Sequence, residues 1–316
     1  MTDADARTAV VALGGNALSP PGERSTIADQ FRHTRESLAP IVDLALDGWR
    51  LCIVHGNGPQ VGDELVRNEV ARGDVEPLPL GILVGATAGW IGYMIQQSLE
   101  NALRLAGSDR RVTTIITQVV VDPADPALRD PSKFIGHSIP ESRAKALVSE
   151  GHAVRVDANG MYRRVVGSPA PRSIHDLPII RSLVESGTIV IACGGGGIPV
   201  YIDPKKGLEG VDAIVDKDAA ASVLARELDA ELLVILTNVD AVYADWGKPS
   251  KRKLARLSID EARSLDEQKA FGEGSMAPKV RAALEYVSAT GGRAIIAELS
   301  QGVDAVRGRA GTTIAR

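Results

Sequence analysis

Two lysines in this chain stand where an ordinary surface lysine would be out of place. Lys217 lies in Val215-Asp216-Lys217-Asp218, just ahead of a helix start, and its flanking aspartates would hold and orient the ammonium. Asp218 doubles as a candidate N-cap of that helix. Lys279 ends the run Gly274-Ser275-Met276-Ala277-Pro278-Lys279. Proline suits the first helical position, which would set Lys279 near the positive end of a helix. A cation is disfavoured there unless an anion compensates it, and a phosphate would do so. Lys133, in Asp130-Pro131-Ser132-Lys133-Phe134-Ile135-Gly136, is by itself one lysine of a polar stretch. His55 could act as a base, but the simpler reading is a loop histidine bonded to backbone. No His/Cys/Asp grouping has transition-metal spacing, and no Ser-His-Asp set can be justified.

The elements that would position these lysines announce themselves as apolar runs that stop at glycine-rich or polar loops. Residues 9–13 end at Gly14-Gly15-Asn16, and residues 51–54 end at His55-Gly56-Asn57-Gly58-Pro59. Residues 189–193 end at Gly194-Gly195-Gly196-Gly197, and residues 232–236 at Thr237-Asn238-Val239-Asp240. Continuous apolar runs of this length read as strands buried on both faces, hence as a parallel sheet. Glycine lets ligand oxygens approach backbone N–H groups, and open α/β sheets bind ligands beyond the carboxyl ends of their strands. Loops converging on one edge would form a cradle for phosphate. A dehydrogenase fingerprint does not fit, because the glycines from Gly56 to Gly62 are wrongly spaced and the acidic residue downstream, Glu76, lies in a proline-rich stretch. The Walker A pattern is absent.

Composition narrows the class. The 316 residues are 44% hydrophobic and 24% charged, as in ordinary soluble proteins. A net charge of −4 argues against nucleic-acid binding, which needs a basic face. Cys52 and Cys193 fall inside core runs and read as small buried hydrophobes. Residues 1–8 have no apolar segment of the signal-peptide kind, so a cytoplasmic protein is expected. Residues 77–99 carry no charge, yet their glycines, glutamines and proline suit a helix over 81–105 buried between layers or subunits better than a membrane span.

Along the chain, residues 26–48 read as one amphipathic helix, Pro59 opens a second, and residues 112–121 as a strand. Residues 122–171, rich in proline, interrupt the alternation and read as a protruding subdomain or lid with a helix over 142–149. Helices are then expected over 173–186, 218–228 and 278–290, with closing strands at 294–297 and 311–314. The fold class is α/β, an open three-layer αβα sandwich on a mainly parallel sheet.

In this order the chain resembles the carbamate kinases of the amino acid kinase family. The matching segments include Ala12-Leu-Gly-Gly-Asn-Ala-Leu18, His55-Gly-Asn-Gly-Pro-Gln-Val-Gly62, Gly92-Tyr-Met-Ile-Gln-Gln97, Tyr162-Arg-Arg-Val-Val166, Cys193-Gly-Gly-Gly-Gly-Ile-Pro-Val200, Asp216-Lys-Asp218 and Leu236-Thr-Asn-Val-Asp-Ala-Val-Tyr243, with the Lys279 segment closing the set. The resemblance implies a homodimer, with an acceptor half over 1–187 that includes the lid and an ATP half over 188–316. It implies reversible phosphoryl transfer between ATP and carbamate with Mg²⁺, as in arginine catabolism. Gly14, Gly15, Asn16, Gly56, Asn57, Gly58, Gly195 and Gly196 would cradle the acceptor and the transferred group. Lys217 and Lys279 would contact the phosphates, Asp218 would orient Lys217, and Lys133 would reach in from the lid. Thr237, Asp240, Tyr243 and Met276 would line the nucleoside site. The chain departs from the family at Gly136-His137-Ser138-Ile139 and Asp157-Ala-Asn-Gly-Met161. A related kinase for another small carboxylate or carbamate-like acceptor, and a silent nucleotide-binding protein, remain as alternatives.

Overall fold

The computed structural model describes residues 7–15, 18, 26–157, 159–271 and 276–316. The first stretch forms β1 (Thr8–Leu13), α1 (Ile27–Glu36), α2 (Ala39–Leu46), β2 (Arg50–His55), α3 (Gly58–Ala71), α4 (Leu80–Leu105) and β3 (Val112–Thr114). The middle holds β4 (Gln118–Val121), α5 (Pro126–Arg129), β5 (Lys133–Ile139), α6 (Glu141–Ser149), β6 (Val154–Val156), β7 (Tyr162–Val166) and β8 (Pro171–Ile174). Next come α7 (Leu177–Glu185), β9 (Ile189–Ile191), β10 (Ile198–Asp203), β11 (Gly207–Gly210), α8 (Lys217–Glu227) and β12 (Leu232–Thr237). The chain closes with β13 (Val242–Ala244), β14 (Arg252–Leu254), β15 (Arg256–Ser258), α9 (Ile259–Glu267), α10 (Met276–Thr290), β16 (Arg293–Glu298), α11 (Gly302–Val306) and β17 (Thr312–Ala315).

Alternation along the strands decides the layers. In β1, Ala9, Val11 and Leu13 enter one core with α2 and α4, while Val10 and Ala12 enter the other with α8 and α10. The sheet between them has the order β15-β17-β16-β12-β1-β2-β9-β3, and among these pairs only β16 with β17 is antiparallel. Helices on both faces of a mainly parallel sheet make the expected sandwich. Register then levels the strand ends: Leu13 is opposite both His55 and Leu236, and Leu236 is opposite Ala297. The loops that follow start at one height on one edge. The connection leaves β1 toward β2 on one side and β12 lies on the other, so the crevice opens where strand order reverses.

Three expected elements differ in form. Residues 26–48 make two helices, because Pro40 at the second position of α2 has no N–H to continue α1 and its ring crowds the preceding turn. Residues 112–121 divide into β3 and β4, which belong to different sheets. The break is held by Thr117, whose Oγ1 accepts from Cys193 N at 2.9 Å and draws the chain toward the glycine turn. Residues 171–174 are a strand rather than the start of α7, with Asp176 Oδ2 bonded to Gln118 N at 2.6 Å between them. The 122–171 interruption is folded, as a three-stranded antiparallel sheet in the order β5-β7-β6 with α6.

Candidate active site

The strand-end loops and the lid enclose a cleft of about 500 Å³. Gly14 and Gly15 contribute from β1, Gly56 to Pro59 from β2, Thr237 and Asn238 from β12, and Glu298 to Ser300 from β16. Lys133 and Phe134 enter from β5, and Asp216 to Asp218, Pro278 and Lys279 from the helix starts of α8 and α10.

Local structure explains the lysine placement. The cap of α8 is Asp216, not Asp218: Asp216 Oδ1 accepts from Asp218 N at 2.9 Å and Ala219 N at 3.2 Å. That leaves the Asp218 carboxylate free to join two lysines, Lys217 Nζ at 2.5 Å and Lys279 Nζ at 3.1 Å. Lys133 Nζ pairs with Asp216 Oδ2 across the cleft. Pro278 is the third residue of α10 rather than the first, which seats Lys279 one turn inside the helix. Lys279 is buried, and the Lys217 side chain is only 12% exposed, so neither is the solvated lysine of the simpler reading. Burial lowers the Lys217 pKa, with Asp218 opposing and Lys279 adding to the shift. Burial alone would raise the Asp218 pKa, but Lys217 and Lys279 outweigh it and hold the carboxylate below its ordinary range. Asp216 is likewise held below the ordinary carboxylate range, chiefly by Lys133 against its own burial. The N-termini of α3 and α8 also open here, adding partial positive charge where an anion would sit.

The glycine turn after β9 is built by contact. Cys193, Gly195, Gly196 and Gly197 all have positive φ. A Cβ on Gly195 would lie 2.2 Å from the Asn57 side chain, and one on Gly196 would lie 2.2 Å from the Val215 carbonyl. The turn therefore packs directly on the two segments that carry the site. Asn57 is fixed in turn by its Nδ2 bond to Thr87 Oγ1 at 2.9 Å. Thr87, in the uncharged part of α4, and the β16 loop from Glu298 are not singled out by the sequence reading; the latter follows a fifth apolar run and is legible by the same rule.

Several expected residues fall elsewhere. Gly196 is not on the cleft wall, and its N–H bonds to Cys193 O. The N–H groups of Gly14 and Gly56 are also taken, by Leu236 O at 3.2 Å and Leu13 O at 3.0 Å, so neither donates to a ligand. Asp240, Tyr243 and Met276 do not line the cleft. Asp240 instead accepts from the Tyr243 hydroxyl at 3.0 Å and Lys253 Nζ at 2.8 Å. Asn16 lies outside the described residues. His55 is fully buried, its Nδ1 lies 3.1 Å from the Gly56 carbonyl, and burial pushes its pKa down to about 4, so the ring is neutral. Nδ1 therefore carries the proton and donates it to that carbonyl. The unusual lid residues beyond Gly136 are likewise off the cleft wall, which takes only Lys133 and Phe134 from β5. Among the described residues, no group of three or more His, Cys, Asp or Glu could hold a metal ion.

Comparison with known proteins finds relatives over nearly the whole chain. The amino acid kinase family model matches residues 7–298. A carbamate kinase of Thermococcus kodakarensis is 42% identical over 311 residues, covering 97% of this chain and 98% of the relative. One from Halobacterium salinarum is 45% identical over 308 residues, covering 96% and 97%. The solved carbamate kinase of Giardia lamblia bound to AMP-PNP superposes with a TM-score of 0.90 at 37% identity, covering 98% of this chain and 99% of the other.

Proposed function

The chain belongs to the amino acid kinase family, and from that premise we propose that it moves a phosphoryl group reversibly between ATP and carbamate, giving ADP and carbamoyl phosphate. The observation that carries this reading is the Asp218 carboxylate joining Lys217 and Lys279 at the edge of the glycine loops. Phosphoryl transfer passes through a loose transition state, so the protein chiefly positions reactants and neutralises charge. Lys217 and Lys279 lie against the transferring group and follow its charge toward the bridging oxygen. Asp218 keeps both ammonium groups aimed at one point and limits their mutual repulsion. Gly15, Gly58 and Gly195 supply backbone donors, and Asn57 adds its amide. Lys133 meets the acceptor from the lid, exchanging Asp216 for substrate. Carbamate is already an anionic oxygen nucleophile, so no general base is needed, which fits a neutral, buried His55.

The acceptor occupies the side formed by β1, β2 and the lid, and the nucleotide the side formed by Thr237, Lys279 and the β16 loop. Of the three carboxylates on the cleft wall, Asp216 and Asp218 are already paired to lysines and Glu298 stands without a second acidic partner, so the described residues do not form a cage for Mg²⁺. The ion enters as part of the nucleotide substrate, held by phosphate oxygens and water. No helix among the described residues is long and apolar enough to cross a membrane, and we read the enzyme as cytoplasmic. Purified protein is expected to form ATP from carbamoyl phosphate and ADP only when Mg²⁺ is present. Folded protein that makes no ATP above the chemical background would end this reading.

A further inference from the structure

The lid carries Lys133, and α3 is the element that carries the lid. Near its start, Gly62 meets Gly136 of β5 so closely that a Cβ on Gly62 would lie 2.2 Å from the Gly136 Cα. Beside this contact His137 Nε2 lies 3.2 Å from Asp63 Oδ1. Two turns further along α3, Glu69 takes Arg143 Nη2 of α6 at 2.5 Å and Arg164 Nη1 of β7 at 3.1 Å, one on each carboxylate oxygen. Arg164 Nη2 donates to His152 Nδ1 at 3.2 Å. Arg72 and Arg143 both meet Glu150, at 3.2 and 3.5 Å. The Glu69 and Arg164 side chains are 19% and 18% exposed, so solvent screens this pair less than an ordinary surface bridge.

Register connects the clamp to the site. In the β5–β7 pair, Arg164 stands opposite Ile135, and Lys133 stands opposite Val166. Displacing Arg164 therefore displaces β5 two residues from Lys133. At its other end α3 starts at Gly58, inside the cleft, about 16 Å from Glu69 along a rigid helix.

We propose that Glu69 is a positioning residue for Lys133: by holding α6 and β7 to α3 it fixes the lid against the same helix that opens at the phosphate loop. The proposal rests on the phosphoryl-transfer reading above. Glu69→Gln keeps the shape and removes the charge. Hydrogen exchange of β5 and β7 amides is expected to accelerate while β1 and β12 stay slow. The kcat/KM for carbamoyl phosphate is expected to fall by about tenfold to 10²-fold, the scale of a small misplacement, while MgADP affinity holds. In a Lys133→Ala background, removing Glu69 is expected to cost no further turnover, because coupled residues are non-additive. Unchanged exchange in β5 and β7, or losses that simply add, would overturn the proposal. Should Glu69→Gln fail to fold, Arg143→Ala removes one arm of the clamp and is expected to give the same pattern in weaker form, its absence being equally decisive. A wild-type protein with no carbamoyl phosphate turnover would remove the reaction assignment, and the exchange measurement would still decide the clamp.

Discussion

At the scale of single residues, the site depends on one carboxylate shared by two buried ammonium groups. Lys217→Ala and Lys279→Ala should each lower turnover by about 10²–10³, the scale of losing one preorganised transition-state contact. Steady-state kinetics on folded variants checks this. Lys205→Ala, in an exposed turn, is the appropriate control. Lys251 and Lys253 do not serve, since Lys251 stacks on Tyr243 and Trp246 and Lys253 pairs with Asp240. Asp218→Asn should cost stability as well as activity, about 3–5 kcal/mol, because it strips the compensation from buried charges. Added phosphate should restore part of that stability, read by denaturation with and without the anion. His55 gives a pH signature. Its pKa is about 4 in the folded protein, through burial chiefly, against about 6.5 unfolded. As pH falls from 6.5 toward 4 the unfolded chain binds a proton that the native ring refuses, so stability falls by roughly 3 kcal/mol over that window. Denaturant midpoints of wild type and His55→Gln between pH 7 and 4.5 test it; equal slopes would exclude His55 as the source.

At the scale of elements, the turn after β9 is a tight constraint on the site. Gly195 has a φ of +70°, and the space a Cβ would need is filled by Asn57. Gly195→Ala should cost about 1–3 kcal/mol of backbone strain and, by pushing Asn57 off its Thr87 bond, lower turnover too. A variant with wild-type melting and kinetics would show that the turn yields freely. The same packing logic explains why helix α4 carries no charge over most of its length. Its glycines let strands approach, with Gly85 against Ile198 and Gly92 against Thr114, and its Thr87 anchors a cleft residue.

At the scale of the whole molecule, α4 is buried on one face only. Ile82 and Tyr93 are 55% and 57% exposed, and Ile116 beside Gly89 extends the apolar surface. Such a patch fits a homodimer. Light scattering at micromolar concentration should give twice the chain mass, and Ile82→Glu should shift it to monomer; a monomeric wild type would remove the dimer.

The buried parallel strands, the αβα layering and the two core lysines, Lys217 and Lys279, follow from features that a sequence carries locally: apolar runs buried on both faces, glycines at strand ends, and a lysine set between aspartates or close behind a proline. Strand order, by contrast, came from the structure, and Lys133 from the family resemblance. Periodicity and composition act over a few residues, so they are legible one segment at a time. The choice of Asp216 over Asp218 as the helix cap could not be read that way, because both have the right side chain and only Lys279, sixty-one residues on, gives Asp218 another task. The splitting of residues 112–121 was hidden for the same reason, since the break answers to Cys193 across the fold. Asp240 and Gly196 sit in turns and Tyr243 in the short strand β13, all with directions that depend on where neighbouring elements land, and the tertiary structure turned them from the cleft. Local chemistry chose the reactive groups; long-range packing decided which of them meet.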